Sequence, residues 1–206
     1  MKLIHLTVLV FIVVPLFASG GYDHGTSTGK GQFEIDLTWN PFDLIDFGQT
    51  YAVLGYGLTN RLDLHGYFAH QADGRNNYYY GIFYQFIDSK YLDLATAIGL
   101  RRYTDSAAVD LFYPQLLFTF KLSKKLDIGG AFVNIKREEG KKYIDKGSAF
   151  DIAVYIRLSE ELKLPEYIED VKLGIGLFNP GVFEPEEGEF LPTYSIDIIF
   201  KRIGKK

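Results

Sequence analysis

Histidine and acidic side chains are the groups of this chain that could carry chemistry, and the histidines are few, with four in the whole chain. His70 and Asp73 lie close together in the sequence, as a general base and its acidic partner do in a hydrolytic site. A serine nucleophile or a second acid at a suitable spacing would complete such a site, and the sequence offers neither. We therefore expect a polar loop here and no catalytic residue, with a hydrolase that uses His70 as an alternative.

A run of glutamates, Glu184, Glu186, Glu187 and Glu189, offers the carboxylate oxygens that divalent cations prefer. Its spacing is not that of a calcium-binding loop, and such runs are usually solvated. His65 falls within a strand pattern, where a hydrogen-bonded interior residue is expected. The chain contains no cysteine. We expect no metal site and no cofactor.

A two-residue periodicity defines the elements that position these side chains. Between residues 150 and 158 the even positions are apolar, whereas Asp151 and Arg157 lie at odd positions. Such a period is typical of β-strands with one apolar and one polar face. We expect ten strands, near residues 32–40, 49–58, 61–71, 76–88, 90–103, 109–122, 125–136, 148–158, 170–178 and 191–202.

The connections between these strands alternate in length. Short turns are expected at residues 59–61, 88–90 and 123–125, and longer loops near residues 40–48, 104–108, 137–147 and 179–190. The connection at residues 159–170 is irregular, since it is long enough to hold a short helical turn. Pro114 is expected at a β-bulge or at the true start of its strand.

The amino-terminal residues read as an export signal. Lys2, an apolar run and a small-residue junction place a cleaved signal peptide at residues 1–20, and Gly, Ser and Thr predict a flexible leader at residues 21–31. One domain follows at residues 32–203, with a basic tail at residues 204–206. The net charge of −4 argues against a nucleic-acid partner.

The two faces of the predicted strands differ in composition. If the chain closes into a barrel, the face that mixes acids, bases and small residues should line the lumen. Two further observations favour this orientation: tyrosines cluster at strand ends, and ten strands exceed the number in a lipocalin. The charges of this face should nearly balance. The charged lumen set is Glu34, Asp36, Asp63, His65, Asp93, Arg101, Lys121, Asp127, Asp151, Arg157, Lys172 and Asp197. The lipid-facing set is Leu54, Leu64, Ile82, Leu94, Ile98, Leu116, Phe118, Ile128, Ile152, Val154, Ile175, Ile196 and Ile198. Within the lumen we expect Arg101, Lys121, Arg157 and Lys172 to face Asp63, Asp93, Asp127 and Asp151.

Two stretches carry a family resemblance. Residues 55–68 read GYGLTNRLDLHGYF, and residues 194–200 alternate apolar side chains and end in Phe200. Both resemble Gram-negative outer-membrane β-barrel proteins, in which such hairpins and a closing aromatic residue are common. The resemblance implies a single antiparallel, up-and-down transmembrane β-barrel of the small class. Its partners would be outer-membrane lipid and the barrel-assembly machinery. The six residues that follow Phe200 depart from the family pattern, in which the aromatic residue closes the chain.

These observations favour a non-enzymatic outer-membrane barrel with a charged, largely filled lumen and a structural, surface-binding or narrow-pore role. Two alternatives remain at this point. One is a secreted or periplasmic, lipocalin-like carrier of an apolar ligand, in which the apolar face would point inward. The other is the hydrolase with His70 at its outer rim.

Overall fold

The computed structural model describes residues 24–41, 49–71, 74–179 and 190–202. The predicted signal peptide and the basic tail lie outside these ranges. Within them the chain forms ten β-strands: β1 (Phe33–Asn40), β2 (Gln49–Gly57), β3 (Leu62–His70), β4 (Asn76–Asp88), β5 (Leu92–Tyr103), β6 (Val109–Lys121), β7 (Leu126–Glu139), β8 (Lys142–Arg157), β9 (Ile168–Asn179) and β10 (Leu191–Phe200).

The strands close into a barrel in which each strand pairs antiparallel with its neighbours in the sequence. The first residue of β1, Phe33, pairs with the last of β10, Phe200, and this pairing closes the sheet. The predicted all-β, up-and-down barrel of ten strands is therefore confirmed. We call the rim where β1 begins and β10 ends the terminal rim, and the opposite one the far rim. No helix in the described ranges is long and apolar enough to cross a membrane.

The apolar face of the strands lies outside. In β3, Asp63 and His65 are buried, whereas Leu64 between them is 46% exposed. In β9, Lys172 is buried and Ile175 is 55% exposed. All residues of the predicted lipid-facing set are exposed or half-buried, with inward neighbours on either side. This orientation is the reverse of a lipocalin, whose apolar face lines the cavity.

Two irregularities fall where the sequence predicts them. At Pro114 the register shifts against both β5 and β7, which confirms the bulge, and the Tyr113–Pro114 peptide bond is cis. Between β8 and β9 the Leu162 backbone N–H donates to the Leu158 carbonyl at 2.9 Å, which forms one helical turn. There Lys125 donates to Glu161, and this bond lowers the pKa of the Glu161 carboxyl.

The predicted long loop at residues 137–147 is wrong. β7 continues to Glu139 and β8 starts at Lys142, so that only Gly140 and Lys141 form the turn, with Gly140 at a φ of 67°. β6 accompanies β7 only as far as Arg137, and the end of the hairpin therefore projects beyond the far rim. In the projecting hairpin charged residues occupy both parities, and the period of two disappears from its sequence.

Aromatic side chains fill the middle of the lumen. The rings of Tyr67 and Tyr79 stack with their centroids 5.2 Å apart, and Tyr51 contacts Tyr67 edge-on at 5.2 Å. Phe83, which is fully buried, and Phe112 extend the cluster towards β6. The lumen that the sequence predicts as charged therefore also contains an aromatic cluster.

Candidate functional site

Five carboxylates form a ring just inside the terminal rim. Each odd-numbered strand begins with an apolar residue and places an acid one or two positions later, and the alternation turns that acid inward. None of the five is more than 5% exposed. This carboxylate ring consists of Glu34, Asp63, Asp93, Asp127 and Asp170.

Cationic side chains bind one part of the carboxylate ring. Arg157 bridges two strands, with Nη2 2.8 Å from Asp127 Oδ2 and Nη1 2.9 Å from Asp170 Oδ2. Lys121 Nζ lies 2.7 Å from Asp93 Oδ1. One guanidinium that binds two carboxylates offsets the cost of burying both.

The amino-terminal segment binds the other part of the ring. The Thr28 backbone N–H donates to Asp63 Oδ2 at 2.7 Å, and its hydroxyl donates to Glu34 Oε2 at 2.9 Å. The Thr26 hydroxyl donates to Asp93 Oδ2 at 2.8 Å. Residues 24–31, which the sequence predicts as part of a flexible leader, therefore lie in an ordered position; we call them the inner segment.

The inner segment crosses the terminal mouth of the barrel. It starts against β2, where the Gly31 backbone N–H donates to the Gly57 carbonyl at 2.7 Å. It then passes β4, where the Ser27 N–H donates to Gln85 Oε1 at 3.0 Å, and reaches β6, where the Gly25 N–H donates to Thr119 Oγ1 at 2.9 Å. At the amino-terminal end of the segment, the His24 ring lies edge-on to Tyr155 of β8 with centroids 6.1 Å apart, and His24 Nε2 lies 3.4 Å from Glu34 of β1. The segment therefore contacts strands on both sides of the mouth and crosses it.

A second charged cluster lies towards the far rim. Arg101 and Arg137 share the buried carboxylate of Asp110, with closest N–O distances of 2.7 Å each. The Tyr103 hydroxyl also donates to Asp110, at 2.8 Å. The expected partner of Arg101 is thus replaced by Asp110, because β5 and β6 are neighbours and the register places Arg101 opposite Asp110.

The buried acids outnumber the bases that face inward, so the expected balance of charges is wrong for the described residues. Hydroxyl and amide donors also bind the buried acids: Asp151 accepts from the Ala131 N–H at 2.7 Å, and Asp197 from the Ser195 hydroxyl at 3.0 Å. The buried acids are Glu34, Asp36, Asp63, Asp93, Asp110, Asp127, Asp151, Asp170 and Asp197, and the inward bases are Arg101, Lys121, Arg137, Arg157 and Lys172.

The predicted lumen set points inward throughout, but its expected pairs form only in part. Lys121 binds Asp93 and Arg157 binds Asp127, whereas Asp63 accepts from the inner segment. Asp110, Asp170 and Arg137 belong to these clusters without being in the predicted lumen set. Asp170 follows the same pattern as the other ring acids, near the start of an odd-numbered strand, whereas Arg137 lies where the sequence predicts a loop.

The candidates for catalysis and metal binding gain no support from the described residues. His70 Nδ1 lies 2.7 Å from Asn76 Oδ1, and Asp73 lies outside the described ranges, as do Glu184, Glu186, Glu187 and Glu189. His65 Nε2 lies 3.1 Å from the Tyr79 hydroxyl inside the barrel. Within the part of the chain that the structure covers, no group of His, Cys, Asp or Glu side chains is arranged to bind a metal ion.

No protein-family model matches the sequence, and no curated protein matches it. Among solved structures the chain is similar to the KdgM porin (8% identity, 82% of this chain and 98% of the other covered, TM-score 0.44). It is also similar to the NanC porin (10%, 88% and 97%, TM-score 0.40) and to the designed protein TMB2.3 (12%, 86% and 98%, TM-score 0.37).

Proposed function

We propose that this chain is a non-enzymatic β-barrel of the outer membrane of a Gram-negative bacterium, exported with a cleaved signal peptide and closed to steady conduction. The observation that carries the proposal is the apolar belt of the closed barrel. All ten strands contribute apolar side chains to this outer surface, and charge on it is confined to strand ends such as Arg102 and Lys136 in the described ranges.

The size of the apolar belt favours a lipid environment over an aqueous one. Soluble monomers rarely expose contiguous apolar patches larger than a few hundred Å², whereas this belt encircles the molecule. Closure leaves no unpaired strand edge around the barrel, which is the requirement for strands in a hydrocarbon layer. Tyr91 and Tyr167, 66% and 63% exposed near the terminal rim, suit the aromatic girdle at a membrane interface.

The interior supports a closed barrel. The aromatic cluster from Tyr51 to Phe112 occupies the middle of the lumen, and the inner segment crosses the terminal mouth. A porin needs a polar, water-filled passage, and the aromatic cluster and the inner segment both lie in the path of such a passage. We therefore favour a structural or surface-binding role over that of a narrow pore.

The alternatives have less support. A carrier of lipocalin type would place the apolar face inward, and here the inward face contains nine buried carboxylates. For a hydrolase at the rim, the described residues give one contact of His70, from Nδ1 to Asn76 Oδ1, which is an ordinary polar contact. The proposed partners are outer-membrane lipid and, during assembly, the barrel-assembly machinery.

Cell fractionation tests the proposal. We expect the exported protein in the outer-membrane pellet after washes with sodium carbonate and with high salt, and we expect its gel mobility to change on boiling, because a closed barrel resists unfolding in detergent. Recovery in the soluble periplasmic fraction would contradict the membrane placement. A mobility that is the same before and after boiling would contradict a stable barrel.

A further inference from the structure

We propose that residues 24–28 are a releasable plug: they close the terminal mouth by binding across the carboxylate ring, and they leave it while the barrel stays folded. The proposal does not depend on a particular membrane, since it concerns only the interior of the barrel. It assigns a role to Asp63 and Asp93, which the function proposed above does not use.

Residues 25–28 contact the barrel wall through polar groups, and His24 adds one edge-on ring contact with Tyr155. Residues 25–28 are Gly, Thr, Ser and Thr, and they reach the wall through backbone N–H groups and hydroxyls. They contribute no large apolar side chain to the aromatic core, and the only bridge between the inner segment and a strand joins Lys30 to Gly57. Segments with little apolar burial open at a lower free energy than the strands around them.

The fit of the backbone against the wall shows that the plug occupies the mouth closely. A Cβ atom at Gly25 would lie 2.7 Å from the Phe118 Cα and 2.8 Å from the Asp93 carbonyl oxygen. A Cβ atom at Gly57 would lie 1.9 Å from the Gly29 carbonyl oxygen. Seating the segment therefore requires glycine at both places, one in the segment and one in the wall.

Charge explains why such a plug is needed at this rim. Of the five ring carboxylates, Asp127 and Asp170 share Arg157, and Asp93 binds Lys121. Asp63 and Glu34 accept from Thr28, a neutral donor, and His24 Nε2 lies 3.4 Å from Glu34. Without the plug, these carboxylates would face an open mouth, and rings of acidic side chains attract cations.

Cysteine labelling tests whether the plug blocks access. The chain has no native cysteine, so Thr119→Cys, at the acceptor of the Gly25 N–H, places a single thiol inside the barrel where the plug covers it. We expect a small, membrane-impermeant methanethiosulfonate to label it at least about tenfold faster when residues 24–28 are deleted. Gly57→Ala, which displaces Gly29, should give an intermediate rate. Lys141→Cys, in the far hairpin turn, should react at one rate in all three backgrounds.

Hydrogen exchange of the unaltered protein tests whether the plug is releasable. We expect the amides of Gly25, Ser27 and Thr28 to exchange at least about tenfold faster than the paired amides of β5 and β6. Equal exchange rates would show that the segment leaves only when the barrel unfolds, and would overturn the proposal. Equal labelling of Thr119→Cys with and without residues 24–28 would also overturn it, as would loss of heat-modifiability in both the deletion and Gly57→Ala.

Discussion

Replacing Ile175 with arginine should destabilise the barrel strongly if the apolar belt faces lipid. Ile175 is 55% exposed and belongs to β9, which runs from Ile168 to Asn179. With a rise of about 3.3 Å per residue and a tilt of about 40°, it lies about 4 Å from the middle of the strand along the barrel axis. It is therefore well inside an apolar band about 25 Å tall.

The magnitude follows from this depth. Arginine near the midplane of a membrane barrel costs about 2–4 kcal/mol, which corresponds to about a 30- to 700-fold loss in the folding equilibrium constant. In water the same change at a half-exposed site should stay within about 0.5 kcal/mol, because no buried group is disturbed. The two environments thus predict clearly different results.

Urea titration of the barrel in phospholipid vesicles would measure the effect, with Trp39, the single tryptophan, as the fluorescent probe. The matched control is Ile144→Arg: Ile144 is also an exposed strand isoleucine (43%), but it lies at the far rim, opposite Arg137. A second control, Ala153→Ser, places a small polar group on the inward face and should be mild. Equal tolerance of Ile175→Arg and Ile144→Arg would refute the membrane orientation.

Three further predictions concern the lumen and the far rim. Arg157→Gln should lower the free energy of unfolding by about 1–3 kcal/mol, because Asp127 and Asp170 lose their shared cation. Arg137→Gln should lower it less, since Asp110 keeps its ion pair with Arg101. A lower urea midpoint for Arg137→Gln than for Arg157→Gln would contradict the role of the carboxylate ring. The purified barrel should show small or no steady conductance in planar bilayers, and a large, stable step would show that the lumen is open. Replacing residues 138–143 with a two-residue turn should preserve assembly and heat-modifiability and abolish any surface binding; binding that instead disappears on neutralising Arg101 or Asp93 would place the function in the lumen.

Strand positions were predictable because their signals are local. The two-residue period of a strand and the short turn that ends it each depend on a few neighbouring residues. All ten strands and the bulge at Pro114 could therefore be predicted. The far half of the β7–β8 hairpin could not be predicted, because its strands have charged side chains on both faces and lose the period. The inward direction of Asp63, Asp93 and Asp127 could be predicted in the same way, from the alternation within each strand.

The sequence by itself determined the strands, their two faces and the acids at the start of the odd strands. Only the tertiary structure decided that the acids form a ring, that Asp110 lies between Arg101 and Arg137, and that the inner segment enters the lumen. Thr26 and Gly25 bind partners 67 and 94 residues away, and no periodicity marks such contacts. Closure of the barrel brings these residues together, because only the complete ring of strands determines which side chains share the enclosed space.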